Sequence, residues 1–167
     1  YYNLPSFTTA GCTDAQSFDQ QAAMEVGFNL LISALAGGNL IHDIGYIGAG
    51  MATSLEQVVL CNEGIGAIKY LTRGVDINPT TLALDIIEKV GPGGQFLTEQ
   101  HTMDNFKSQM HFTKLFNRNN YDNWVAAGSR NFGQNANALI HEILQWHEVP
   151  LLDPNLEKEV QAIAVGD

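Results

Sequence analysis

The chain has 167 residues, enough to bury a core as one domain, and 45% hydrophobic content with 16 glycines fits a globular α/β protein. Eight Lys and Arg against 18 Asp and Glu give a net charge of −10, and the basic residues do not cluster, which argues against binding to a nucleic-acid backbone. No apolar run reaches the ~20 residues of a membrane span, and no basic segment precedes an apolar core in the manner of a signal peptide.

A short apolar run at 4–10 closes on Gly11-Cys12-Thr13-Asp14, and a second at 39–41 closes on His42-Asp43-Ile44-Gly45-Tyr46. Between them, residues 16–36 carry Ala22, Ala23, Val26, Leu30, Leu31 and Leu35 at helical spacing. The pattern predicts strand–helix–strand with the two strands parallel in one sheet. Ligands of parallel α/β sheets bind beyond the carboxyl ends of the strands, so Asp14, His42 and Tyr46 are expected to share one rim. Asp14 has a duller role open to it, as the cap of the helix beginning near Gln16.

Thr53 with Glu56 reads as a capping box before a helical stripe, Leu55 to Leu71, interrupted around Gly64 and Gly66 and ended by Gly74. Asn78-Pro79 opens a further helix that stops at Gly91-Pro92-Gly93-Gly94. Beyond it, 95–98 is a candidate third strand and 103–111 a short helix. Residues 121–146 read as one long helix with a polar middle, and Asp153-Pro154 caps a last one. Two parallel strands do not make a stable sheet alone, so further strands must come from elsewhere. The chain starts directly before its first strand and without a Met, which reads as a fragment of something longer.

The run Gly45-Tyr46-Ile47-Gly48-Ala49-Gly50 invites comparison with a dinucleotide loop. Its order is G-x-x-G-x-G rather than G-x-G-x-x-G, and Tyr46 sits where bare backbone is needed, so a loop shaping a pocket is the better reading. His141-Glu142 begins like a zinc helix, but position 145 is Gln and His147 lies off the face of His141; no metal site is expected. Cys12 and Cys61 are too few for a disulfide framework and point to a reduced, cytoplasmic protein. Cys12 lacks a basic neighbour, which favours a structural thiol over a nucleophile. His42, at a strand end beside Asp43, belongs to the sheet rim or to a pocket. Glu99 and His101 form a polar pair in a loop, exposed or in contact with substrate. Tyr46 has a π-face to offer a quaternary ammonium group.

Four stretches taken together carry a resemblance: Gly11-Cys-Thr-Asp-Ala-Gln16, Leu35-Ala-Gly-Gly-Asn-Leu-Ile-His42, Ser54-Leu-Glu-Gln-Val-Val59, and Val90-Gly-Pro-Gly-Gly-Gln-Phe-Leu97 followed by His101-Thr102. In order and spacing they resemble the trimethylamine methyltransferase family, corrinoid-dependent enzymes of anaerobic methylamine and betaine metabolism. The match spans the chain but only the C-terminal third of a family member. The resemblance implies the C-terminal part of a (β/α)8 barrel, with residues 1–75 supplying its last βα units and 76–167 a helical extension. It implies methyl transfer from a methylated amine to the Co(I) of a corrinoid held by a separate partner protein, with no cobalt bound by the enzyme itself. The trimethylamine branch uses pyrrolysine, whose counterpart is expected near 14–16, and this chain has no non-standard residue. A quaternary amine such as glycine betaine is therefore the expected substrate. His42 and Tyr46 are placed in its pocket with Asp14 and Gln16 nearby, and Glu99 and His101 rank lower. Two alternatives compete: an inactive half-barrel that self-associates, and a nucleotide-binding α/β domain.

Overall fold

The computed structural model describes residues 2–166. Two parallel strands, β1 (Phe7–Thr9) and β2 (Leu40–His42), flank helix α1 (Gln20–Leu35), in register Phe7 with Leu40 and Thr9 with His42. The predicted strand–helix–strand unit therefore stands. The helix begins later than expected: Asp19, not Asp14, is its N-cap, accepting the Ala22 N–H at 3.1 Å.

Side chains alternate across the sheet, so its two faces have different fates. Thr8, Ala10 and Ile41 face the helices; Ala10, Val26, Leu30 and Cys61 form the buried cluster, with Ile41, Ile44, Ile65 and Ile68 against it. Phe7 and Leu40, on the opposite face, remain 64% and 59% exposed.

The glycine-rich run after β2 is a hairpin, which the sequence did not suggest. β3 (Tyr46–Ile47) pairs antiparallel with β4 (Ala52–Thr53) through a turn in which Gly48, Ala49 and Gly50 all have positive φ. This hairpin is zipped to the loop after β1: the N–H of Thr13 donates to Tyr46 O at 3.1 Å, that of Gly45 to Gly11 O at 3.0 Å, and that of Gly48 to Ala15 O at 2.7 Å.

From the other side, α1 clamps the same loop. The Asn29 amide takes the Gly11 N–H at 2.9 Å and donates to Cys12 O at 2.8 Å. One turn earlier, Glu25 accepts the Thr13 hydroxyl at 2.5 Å and the Asp14 N–H at 3.0 Å. A loop of this kind has backbone groups with no ladder to enter, and side chains spaced i, i+4 on one helix face supply the partners.

Helix α2 (Leu55–Thr72) packs along α1 and starts at Ser54, one residue beyond the expected cap. It runs unbroken through Gly64 and Gly66, so the expected interruption there does not occur: both glycines keep helical backbone, and the packing of α2 along α1 outweighs their weak helix propensity. The next predicted helix is two, α3 (Pro79–Leu82) and α4 (Leu84–Val90), divided at Ala83, which has φ +49°. Residues 95–98 form no strand, and the short helix is α5 (Gln100–Asn105), ahead of the expected 103–111. The long helix is also split, into α6 (Tyr121–Ala126) and α7 (Phe132–Trp146). Gly128 and Ser129 turn left-handed between them, and Asn131 and Gln134 form a reciprocal cap. The last helix, α8 (Pro154–Val165), is as predicted.

The C-terminal part is fastened to α2. Buried Glu63 accepts the Thr113 hydroxyl and the N–H groups of Lys114 and Leu115, and Asn137 of α7 donates to Glu56 at 3.0 Å.

Two expectations follow. Gly45 has φ +88°, and a Cβ there would run into Val58 Cγ2. Gly45→Ala should cost about 2–4 kcal/mol of stability by chemical denaturation, from overpacking plus left-handed strain. Gly50→Ala, at φ +84° but in open space, should cost only about 1–2 kcal/mol. The second concerns Glu25, whose carboxyl is held below its ordinary pKa by the hydrogen bonds from the Thr13 hydroxyl, Gln21 and the Asp14 N–H. Its contribution is present in full above the unfolded value and is lost as pH falls through the lower folded value. Hydrogen exchange at the Asp14 amide, taken relative to the intrinsic rate at each pH, should therefore stay slow at neutral pH and lose its protection under acid conditions, below the ordinary glutamate range. Glu25→Gln should make it fast at neutral pH.

Candidate active site

Beyond the carboxyl ends of β1 and β2 lies an open cleft of about 760 Å³. The strand ends contribute Thr9 and Asp43, the clamped loop contributes Cys12, Thr13 and Asp14, and the hairpin contributes Tyr46, Ala49 and Gly50. One face of α1 supplies Glu25, Phe28, Asn29 and Ile32. The site is thus assembled from three segments that the zipper and the clamp hold together.

The predicted residues divide. Asp14 and Tyr46 both line the cleft, as the shared-rim argument requires. Asp14 is exposed, and its carboxylate makes no hydrogen bond or ion pair among the described residues, so it is available to a ligand. Gln16 lies at the margin: its amide donates to Asp14 O at 3.0 Å, and its side-chain oxygen sits close to Gly48.

His42 does not line the cleft but stands next to two residues that do. Its Nδ1 is 2.7 Å from Asp43 Oδ1, its Nε2 is 3.3 Å from Thr9 Oγ1, and its ring stacks on Phe7 at 4.0 Å. A carboxylate at Nδ1 favours the proton there, leaving Nε2 to accept from the Thr9 hydroxyl. The imidazole thereby fixes the side chains of Asp43 and Thr9.

Glu99 and His101 are not brought to the cleft. Glu99 pairs with Lys89 at 2.6 Å, tying α4 to the start of α5, and His101 Nε2 donates to Thr80 O at 2.7 Å. Both stitch the helical segment together.

Sequence reasoning missed Glu25, Phe28 and Asn29. The signal was present as a polar ladder, Gln21, Glu25 and Asn29, running beside the buried stripe Ala22, Val26 and Leu30. Met24, Phe28 and Ile32 form a further stripe that stays exposed, so α1 is apolar on more than its core face.

The electrostatics of the cleft are one-sided. Asp14, Glu25 and Asp43 line it, and no Lys, Arg or His does among the described lining residues. Burial raises the Cys12 thiol above its ordinary pKa, with the nearby charges of Asp43 and Asp14 adding to the rise. Cys12 is therefore neutral at pH 7 and ill-suited to nucleophilic attack. Among the described residues no three His, Cys, Asp or Glu side chains are grouped to hold a metal ion. Nor do the hairpin glycines form a phosphate cradle: the N–H groups of Gly45, Gly48 and Gly50 are all donated to protein carbonyls. Among the described residues no helix is long and apolar enough to cross a membrane.

Comparison with known proteins gives the family of the chain. A family model described as trimethylamine methyltransferase (MTTB) matches residues 1–165. A trimethylamine methyltransferase, MttB2, of Methanosarcina mazei is 37% identical over 98% of this chain and 33% of its own length. A trimethylamine methyltransferase, MttB, of Desulfitobacterium hafniense is 38% identical over 81% of this chain and 27% of its own. A glycine betaine methyltransferase of the same species is 34% identical over 97% of this chain and 34% of its own. The chain spans about a third of the length of the curated relatives it matches. With its family model matched from end to end of the described residues but the last, the chain belongs to the trimethylamine methyltransferase family of methyltransferases.

Proposed function

We propose that the protein takes a methyl group from a methylated amine and delivers it to a reduced corrinoid carried by a partner protein. The observation that carries this reading is the cleft, where the aromatic faces of Tyr46 and Phe28 stand among three carboxylates. Such a lining attracts an ammonium cation through ring quadrupoles and through charge. The relatives named for trimethylamine and for glycine betaine act on amines of this kind. The corrinoid is a co-substrate here, not a resident group.

In this reading the rings of Tyr46 and Phe28 contact the ammonium group, and Asp14 faces the rest of the substrate. His42 holds Asp43 and Thr9 in place behind them, and Gln16 steadies the Asp14 loop. Glu99 and His101 take no part. The task of these residues is to hold one carbon–nitrogen bond directed at the acceptor and to exclude water. A quaternary amine leaves as a neutral tertiary amine, so no proton has to be supplied to it.

The bare face of the β1–β2 sheet supports a larger architecture. Phe7 and Leu40 are apolar and exposed where an all-parallel sheet would be covered. We place the two strands in a (β/α)8 barrel, with this face turned to its interior and the cleft at its C-terminal rim. The same bare face favours one second reading, in which the 167-residue chain by itself self-associates and is inactive.

The test is methyl transfer by the full natural polypeptide with a reduced corrinoid protein, followed by the corrinoid's visible spectrum. Tyr46→Ala should raise KM for the amine by about 3- to 30-fold, the range of a cation–π contact, while Tyr46→Phe stays near wild type. Equal loss in both variants would argue against a π-face contact. Size-exclusion chromatography tests the second reading: the isolated chain should elute as a dimer or larger, and Phe7→Ser with Leu40→Ser should shift it toward monomer.

A further inference from the structure

The sign of the charge in the cleft says more about the substrate than the family does. Asp14, Glu25 and Asp43 bring three carboxylates to its lining, and no basic side chain accompanies them among the described residues. Two of the three are engaged: Glu25 by the Thr13 hydroxyl and the Asp14 N–H, and Asp43 by His42. Asp14 is exposed and unengaged, and it lines the same cleft as Tyr46, whose carbonyl accepts from the N–H of the neighbouring Thr13 at 3.1 Å. Cys12 reports the same field, since the charges of Asp43 and Asp14 both help to keep its thiol protonated.

A betaine carries a carboxylate one methylene from its nitrogen. Bringing the trimethylammonium end to Tyr46 and Phe28 would bring that carboxylate among like charges, which is repulsive at short range in a partly desolvated cleft. An alcohol in the same place is neutral and has a hydrogen to donate, and a carboxylate such as Asp14 can only accept. Charge and hydrogen-bond polarity therefore favour the same substituent.

We infer that the cleft selects a methylated ammonium bearing no carboxylate next to its nitrogen, of the choline type, over a zwitterionic betaine, and that Asp14 is the residue that discriminates. This rests on the cleft being the amine site, and it departs from the glycine betaine expected from sequence. Aromatic faces serve both ligands alike, so the ring contacts set affinity and the carboxylates set the choice.

Choline and glycine betaine differ in little but hydroxymethyl against carboxylate, which makes them the probes. Binding to the full natural polypeptide is measured by calorimetry, with methyl transfer to the corrinoid protein in parallel. Choline should bind about tenfold or more tightly than glycine betaine, and Asp14→Asn should reduce that ratio to about threefold or less by weakening choline. Because Asp14 is exposed, the variant should fold, and a thermal melt matching wild type checks it. Asp43→Asn is the second variant, expected to lower the ratio by less because that carboxylate is already paired with His42. Equal or tighter binding of glycine betaine would overturn the charge argument while leaving the amine-site reading in place. An unchanged ratio in a folded Asp14→Asn would overturn the assignment to Asp14. Absence of binding and of methyl transfer with both compounds would overturn the site itself, and this inference with it.

Discussion

Glu25 and Asn29, one turn apart on α1, take the hydrogen bonds that the loop after β1 cannot make within itself. Everything at the cleft depends on that arrangement. The loop has glycine at its start and no strand to join, and left alone it would sample many shapes. Clamped to α1 on one side and zipped to the hairpin on the other, it carries Cys12, Thr13 and Asp14 to fixed positions. The helix thus performs two jobs with different faces. Ala22, Val26 and Leu30 hold it to the core, and the polar ladder alongside holds the loop. Precision at a binding site comes from such support more than from the contacting residues themselves.

The same clamp concentrates negative charge. Glu25 does not simply line the cleft; it is held ionised by its hydrogen bonds and so contributes a standing negative charge near Asp14 and Asp43. Among the described residues a neutral thiol, two exposed aromatic rings and three carboxylates make up the lining, with no strong nucleophile and no metal set.

A small parallel sheet with one bare face sets the limits of the molecule. Its helix-facing side packs on the cluster around Ala10 and Cys61, whereas Phe7 and Leu40 face outward. The exposed stripe of Met24, Phe28 and Ile32 on α1 repeats the pattern one layer out. Apolar surface of this extent is unusual on a molecule that stands alone. The C-terminal helices are joined differently, through buried Glu63 and through Asn137, polar contacts that seat one segment against α2 at a chosen place.

The sequence by itself determined the elements whose signals are local. The strand–helix–strand unit followed from apolar runs of different period, the breaks at Gly74 and Gly91 from glycine, and α8 from Asp153-Pro154. Asp14 and Tyr46 were legible as cleft residues because strand ends in a parallel sheet open on one rim. Tertiary structure decided the rest. Ala83 and Ser129 adopt positive φ, so two periodic stretches that read as single helices are divided, and periodicity cannot report a single residue's backbone sign. The hairpin was hidden because its strands are two residues long and owe their shape to hydrogen bonds with the distant loop at 11–15. Glu25 and Asn29 looked like solvated helix positions, since only the folded chain brings the unpaired backbone of residues 11–14 within their reach. Glu99 and His101 were drawn off by local partners, Lys89 and Thr80, which their spacing in the chain does not reveal. Local propensity is written residue by residue, but a hydrogen-bond partner far along the chain is chosen by packing, and so the site belongs to the fold.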